Sequence, residues 1–136
     1  SDYFMGSDFT YDDLGDRHPS KDRHTIVKTE TYRGERCIVI DSTSIKPGYM
    51  YSRTRTWVIE GKWIGLKREF FDRRGKLLKI LSVEDYRKIS GFWIIVKSQM
   101  QNIQRNHKTV MSLANVRINQ GVQDRFFTTG AMERGL

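Results

Sequence analysis

The chain has 136 residues, 38% of them apolar and 29% charged, and its 24 Lys and Arg against 16 Asp and Glu leave a net charge of +8. That supplies one hydrophobic core but excludes a helical membrane protein, because the longest apolar run, Phe92–Val96, falls far short of the roughly 20 residues a spanning helix needs. The one cysteine, Cys37, excludes an internal disulfide and, with no second Cys or His at ligand spacing, a zinc site. The positive balance suits either contact with nucleic acid or anionic membrane, or the solvated face and edges of a sheet, where Lys and Arg discourage edge pairing. The basic residues are spread over every expected strand and no recognition helix gathers them, which favours the sheet and argues against a nucleic-acid partner.

In chain order, residues 1–7 show no basic stretch followed by an apolar one, the mark of a secretory leader. Thr10 is placed to cap a short helix, with Asp13 in the capping-box position, Phe9 and Leu14 as a hydrophobic staple, and Asp12 and Asp13 at the positive end of the helix. Gly15 ends it, and His18-Pro19 forces extended or turn backbone. From His24 the apolar period changes to two. Strands are expected over His24–Arg33, Arg36–Ser44, Tyr51–Glu60, Trp63–Asp72, Lys76–Tyr86, Phe92–Ile103 and His107–Asn119. The connections are a two-residue type II′ turn at Gly34-Glu35, a turn at Pro47-Gly48 and a tight hairpin at Gly61-Lys62. A type I turn with a glycine bulge follows over Asp72–Lys76, then turns at Lys88–Gly91 and Gln104–Asn106. Asp124–Phe127 is expected as a short helix or coil. About seven strands joined by short loops make a mainly β, sequential antiparallel meander with short helices at the two ends.

Side chains alternate along a strand, so the turns assign the faces. Trp57 is expected opposite Leu66, Arg55 opposite Arg68, Phe70 opposite Leu78 and Met100 opposite Met111. One face then carries Trp57, Ile59, Ile64, Leu66, Phe70, Leu78 and Ile80, continued by Val96, Met100, Met111 and Leu113. The other, with Thr54, Thr56, Lys67, Glu69, Lys79 and Asp85, is mostly polar, with Phe71, Leu77, Leu81 and Val83 as exceptions. Two short terminal helices cannot cover an apolar face of seven strands, so more chain, a partner or an apolar ligand is expected against it. The default reading of such a stripe is core.

No catalytic constellation stands out. His18, His24 and His107 have no carboxylate or nucleophile beside them in sequence, Asp12 and Asp13 suit a helix start, and no phosphate-loop, HExxH or GxSxG pattern occurs. Neither metal nor cofactor is expected. Tyr51, Arg53 and Arg55 alternate with Trp57 along one strand and invite two readings: a polar rim around an apolar cavity, or a cross-strand ladder of Arg against acids on a neighbouring strand.

Three stretches carry a resemblance beyond composition. They are Tyr51–Val58 with Trp63–Lys79, then Asp85–Trp93, then Met100–Leu113, preceded by Gly6–Leu14. In order and spacing they resemble the bacterial outer-membrane lipoprotein-sorting family, the LolA-like periplasmic carriers, from Phe4 to about Phe127. The resemblance implies an unclosed β-barrel whose apolar concave side binds acyl chains of lipoproteins or other lipids, without catalysis or cofactor. It implies export to the periplasm behind a removed signal peptide, with inner- or outer-membrane transport proteins as partners. Family members carry a further N-terminal helix and first strands, so residues 1–136 are expected to be the C-terminal portion of a longer domain. An open face or edge would then favour a homo-oligomer of this portion. A protein-interaction or sensor module on the same fold is the competing reading.

Overall fold

The computed structural model describes residues 17–113 and, beyond them, four short strands. The helix expected at Thr10–Gly15 lies outside the described residues. The helical structure among them is a single 3-10 turn, Pro19–Lys21, started by Pro19 and capped by the His18 ring, which accepts the Ser20 N–H at 3.2 Å.

The expected meander is present. Its long strands are β1 (Asp22–Tyr32), β2 (Glu35–Ser44), β3 (Arg53–Ile59), β4 (Gly65–Phe71), β5 (Leu77–Ile89), β6 (Phe92–Asn102) and β7 (His107–Leu113). They lie side by side in sequence order, each antiparallel to the last, and among the described residues β1 and β7 do not meet, so the sheet is unclosed. The C-terminal expectations need correction. β7 reaches Leu113, and Arg117–Asn119 (β8) pairs instead with Val122–Asp124 (β9) as a separate two-stranded sheet. Phe127–Thr128 (β10) and Arg134–Gly135 (β11) pair with β7, and Asp124 and Phe127, read as part of a short helix or coil, stand in strands.

Turn chemistry sets most hairpins. At the β1–β2 connection the turn residues are Arg33 and Gly34, both with positive φ (51° and 79°), closed by Tyr32 opposite Glu35. This is a type I′ turn, one residue earlier than the expected II′ turn, and its twist suits the flanking strands. The Asp72–Lys76 turn is as expected: Gly75 N–H donates to the Asp72 carbonyl (2.9 Å) and Asp72 N–H to the Lys76 carbonyl (2.8 Å), while the Asp72 carboxylate accepts the Arg74 and Lys76 N–H groups.

Two β-bulges change the faces. Ile59 N–H donates to the Ile64 carbonyl and Val58 pairs with Gly65, so the β3–β4 connection is a longer loop than Gly61-Lys62 alone. One residue on, Leu66 has no partner of its own; Trp57 pairs with Lys67, Thr56 with Arg68 and Arg55 with Glu69. A second irregularity leaves out Leu78, so Phe71 pairs with Leu77 but Phe70 with Lys79. Each bulge inserts one residue, and a one-residue slip turns every later side chain to the other face. The single apolar face from Trp57 to Met111 is therefore corrected to two clusters on opposite faces. Lys67, opposite Trp57, and Phe70 are three residues apart on one strand, which places Trp57 and Phe70 on different sides.

The first cluster joins Cys37, Val39, Trp57, Ile59, Ile64, Leu66 and Val83, flanked by Tyr32 and Tyr86. The second joins Tyr51, Phe70, Met100 and Met111, flanked by Tyr49, Met50, Leu78 and Leu81. Met100 pairs with Thr109 and Met111 with Ser98, two residues from the expected pairing, which keeps both methionines on one face. Lys79, expected on a polar face, is fully buried with this cluster, its ammonium 5.0 Å from the Tyr51 ring and 5.5 Å from the Phe70 ring.

Candidate functional site

The residues read as one ligand-binding face divide between the two clusters. Trp57, Ile59 and Leu66 are buried in the first. Ile80, half-buried, pairs with Glu69 and so shares Trp57's side. Phe70, Met100 and Met111 are buried in the second, with Leu78 packed against them. Val96 stands at a register irregularity between β5 and β6, unpaired across to β5 and half-buried. The backbone of Leu113 ends β7 opposite Phe127. The buried members keep at most 5% exposure, so in this conformation their apolar surface is already satisfied by protein.

The three rim residues also separate. Tyr51 leaves the Arg53–Trp57 side and packs on Phe70, ring centroids 4.8 Å apart, in the second cluster. Arg53 and Arg55 converge on Asp41 of β2. Arg55 donates from Nε and Nη2 at 2.7 and 3.0 Å, and Arg53 from Nη1 at 3.1 Å. Arg53 also lies 4.0 Å over the Phe71 ring. The cause is register: Asp41 faces Arg55 directly, and Arg53 reaches it along the diagonal. The Arg55 guanidinium, and then Arg53, hold the Asp41 carboxyl below the usual carboxylate range against the opposing effect of burial. This is a cross-strand charge ladder, the arrangement named as the alternative to a cavity rim.

Next to it, the Trp57 indole N–H donates to Glu30 at 2.7 Å, and Lys67 lies 4.5 Å over the same ring. Cys37 is fully buried, and burial pushes its thiol up, so it behaves as a small apolar residue. Among the described residues no group of three His, Cys, Asp or Glu is placed to hold a metal. His24 holds local structure, its ring contacting Ser42 Oγ at 2.7 Å and the Pro19 carbonyl at 2.8 Å.

Two recesses adjoin the second cluster's end of the sheet. One, about 30 Å³, includes Tyr51, Arg53 and Phe70 in its lining and has room for one water. The other, about 440 Å³, lies between residues 17–21 and the 44–49 segment, lined by Arg17, Lys21 and Lys46 together with Ile45, Pro47 and Tyr49. Its volume is in the range of small-molecule pockets. None of the sequence-derived site residues lines it. Reading missed it because both walls are irregular backbone, which period-two alternation does not see. The His18-Pro19 and Pro47-Gly48 turn signals mark its two walls but not the space between them.

The hairpin end of the sheet holds a further group. Lys62 donates to Glu35 at 3.1 Å and to the Tyr86 hydroxyl at 3.3 Å, and that hydroxyl donates to Glu35 at 2.9 Å. Hydrogen bonds from Lys62, then Tyr86, lower the Glu35 carboxyl below its ordinary value. The ion pair and its Tyr86 hydrogen bonds thus tie the start of β2, the β3–β4 loop and β5, which are distant in sequence.

The unclosed sheet and its strand order have counterparts among solved structures. A domain described as an outer membrane lipoprotein-sorting protein domain, from Vibrio parahaemolyticus, superimposes with a TM-score of 0.82 at 29% identity, over 90% of this chain and 52% of that one. A DUF1329 family protein from Desulfovibrio piger gives 0.78 at 24% identity, over 88% of this chain and 50% of that one. A LolA superfamily protein from Nitrosomonas europaea gives 0.56 at 22% identity, over 62% and 39%. The chain therefore has a LolA-like fold, and it spans about half the length of the first two structures. No curated protein matches it. A family model described as "Uncharacterized protein" matches residues 1–134, and the chain belongs to that family.

Proposed function

We propose that this chain is the C-terminal portion of a longer periplasmic carrier that binds acyl chains of lipoproteins or other lipids without catalysis, for outer-membrane lipoprotein sorting. The observation that carries the reading is the 0.82 superposition on a lipoprotein-sorting domain over 90% of the chain. The physical support is an unclosed sheet with apolar clusters against both faces. A ligand would reach Phe70, Met100 and Met111 by displacing Tyr49, Met50 and Tyr51, which come from the loop before β3 rather than from a strand. Methionine adapts to varied chain shapes, and each buried methylene contributes about 0.8 kcal/mol. Handover to inner- or outer-membrane transport proteins belongs to the same proposal.

Native mass spectrometry of the protein expressed from its whole reading frame tests this, alongside uptake of a fluorescent fatty acid. Lipid adducts and saturable uptake are expected. Adduct-free protein that takes up no acyl chain sinks the carrier reading.

One observation favours a polypeptide partner instead. Edge strand β1 is exposed along most of its eleven residues, with Ile26 at 66% and Val27 at 42%. Such an edge accepts an added strand from another protein or a second copy. A pull-down partner retained after delipidation would support that reading.

A further inference from the structure

The core leaves unused a set of aromatic rings at one end of the sheet, where the β3–β4 loop and the β5–β6 hairpin turn side by side. Trp63 is 69% exposed, Phe92 55% and Trp93 37%. Trp63 also has a φ of 57°, left-handed backbone that a bulky side chain rarely adopts. The loop is held rather than slack. Trp63 N–H donates to the Ile59 carbonyl at 2.9 Å and Glu60 N–H to the Arg36 carbonyl at 3.0 Å. Lys62, anchored by Glu35 and Tyr86, lies 5.0 Å from the Trp93 ring and so joins loop to hairpin. Lys88 approaches the same ring at 5.6 Å. The backbone bonds hold the loop, while the Trp63 indole itself is left exposed, so its ring is available to a partner.

We propose that this end of the sheet docks on the interfacial zone of a phospholipid bilayer, with Trp63 and Phe92 entering the boundary between headgroups and acyl chains and Lys88 facing the lipid phosphates. Trp63 stands on the β3–β4 loop, and Phe92 and Trp93 open β6 directly after the Ser90-Gly91 turn, on alternate sides of the hairpin tip; rings gathered at a sheet end rather than lined up on one face suit a deformable lipid surface better than a polypeptide. Indole rings beside lysines are the residue pattern of membrane interfaces. The chain's +8 charge draws it toward an anionic surface. Locally the charge is small, because Glu35 engages Lys62 and Asp85 engages Arg87. Ring insertion therefore supplies most of the affinity and anionic lipid adds to it. The proposal stands independently of acyl-chain carriage.

The test is co-sedimentation of the protein with vesicles of phosphatidylcholine alone and of phosphatidylcholine with phosphatidylglycerol, together with quenching of tryptophan emission by lipids brominated on their acyl chains. The expected result is association with both vesicles, stronger with the anionic one, and quenching that Trp63→Ser abolishes in large part. The double variant Trp63→Ser/Phe92→Ser should bind about tenfold more weakly, whereas Ile45→Ser, at an exposed residue of the opposite end, should bind as the parent does. Circular dichroism matching the parent establishes that the variants are folded. Any of three results overturns the proposal: no association of the parent protein with either vesicle, full binding by the double variant, or equal loss in Ile45→Ser.

Discussion

At the residue scale, Asp41 does the most for its size, since one carboxylate receives three hydrogen bonds from two arginines. Its side chain is 19% exposed, so solvent screens the pair only in part. Asp41→Asn should cost roughly 2 kcal/mol at pH 7, read from urea unfolding, because it removes charge-assisted bonds and leaves two half-buried guanidinium groups facing a neutral amide. The pH dependence follows from the sign of the shift. The folded carboxyl titrates below its unfolded value, so its stabilisation is complete above about pH 4 and is lost as pH falls through the folded value. The stability gap between parent and variant should accordingly narrow below about pH 4; a gap constant down to pH 2 would show that the charge is immaterial. Phe70, 2% exposed among Tyr51, Met100 and Met111, makes the simpler case. Phe70→Ala should cost about 3–5 kcal/mol in the same measurement, through lost burial and the cavity left behind.

At the element scale, the hairpins separate what is locally encoded from what is not. Asp72–Lys76 was legible because an Asp and a Gly at fixed offsets specify both its side-chain and its backbone bonds. The β5–β6 turn is equally local: Ile89 faces Phe92, and Ser90 and Gly91 have φ values of 49° and 85°, a type I′ geometry. Ser90→Asn, which favours that first position, should raise stability by about 0.5 kcal/mol, and Gly91→Ala should lower it by ~1–2 kcal/mol. Thermal melts that move the same way for both would mean that the turn geometry is different. The bulges at Leu66 and Leu78 were not legible. Leu66 is an ordinary strand residue in an alternating pattern, and it is extruded from the ladder because Ile64 and Leu66 both pack into the first cluster while Lys67 stays opposite Trp57. At these two hairpins, register extrapolated from the turn is correct for the first pairs and wrong beyond the bulge.

For the whole molecule, protection should follow the sheet's cross-section. β3, β4 and β5 lie at the centre of the sheet, are paired on both sides and each carry two or three buried residues, whereas β1 has one neighbour, no buried residue and a largely exposed surface. Hydrogen exchange followed by mass spectrometry should find the slowest amides in β3–β5 and the fastest long-strand amides in β1. Protection of β1 equal to that of β4 would mean that another strand covers this edge in solution, from the rest of a longer chain or from a second copy. The fraction of the site that sequence revealed is uneven for the same reason. Trp57, Phe70, Met100 and Met111 were recognisable as inward-facing from alternation alone, but not the side on which each lies. Lys79 was invisible, because nothing in the string distinguishes a lysine held between the Tyr51 and Phe70 rings from one in water.

The amino-acid sequence by itself determined the seven long strands, their sequential antiparallel order and the approximate places of the turns between them, since period-two alternation and turn residues act over only a few positions. It also determined the LolA-like class, through the order of those strand and turn patterns. The tertiary structure alone decided the two-sided division of the core, the convergence of Arg53 and Arg55 on Asp41, and the tie between Glu35, Lys62 and Tyr86. Each depends on register between strands, and a single extruded residue reverses register without leaving a mark in local composition.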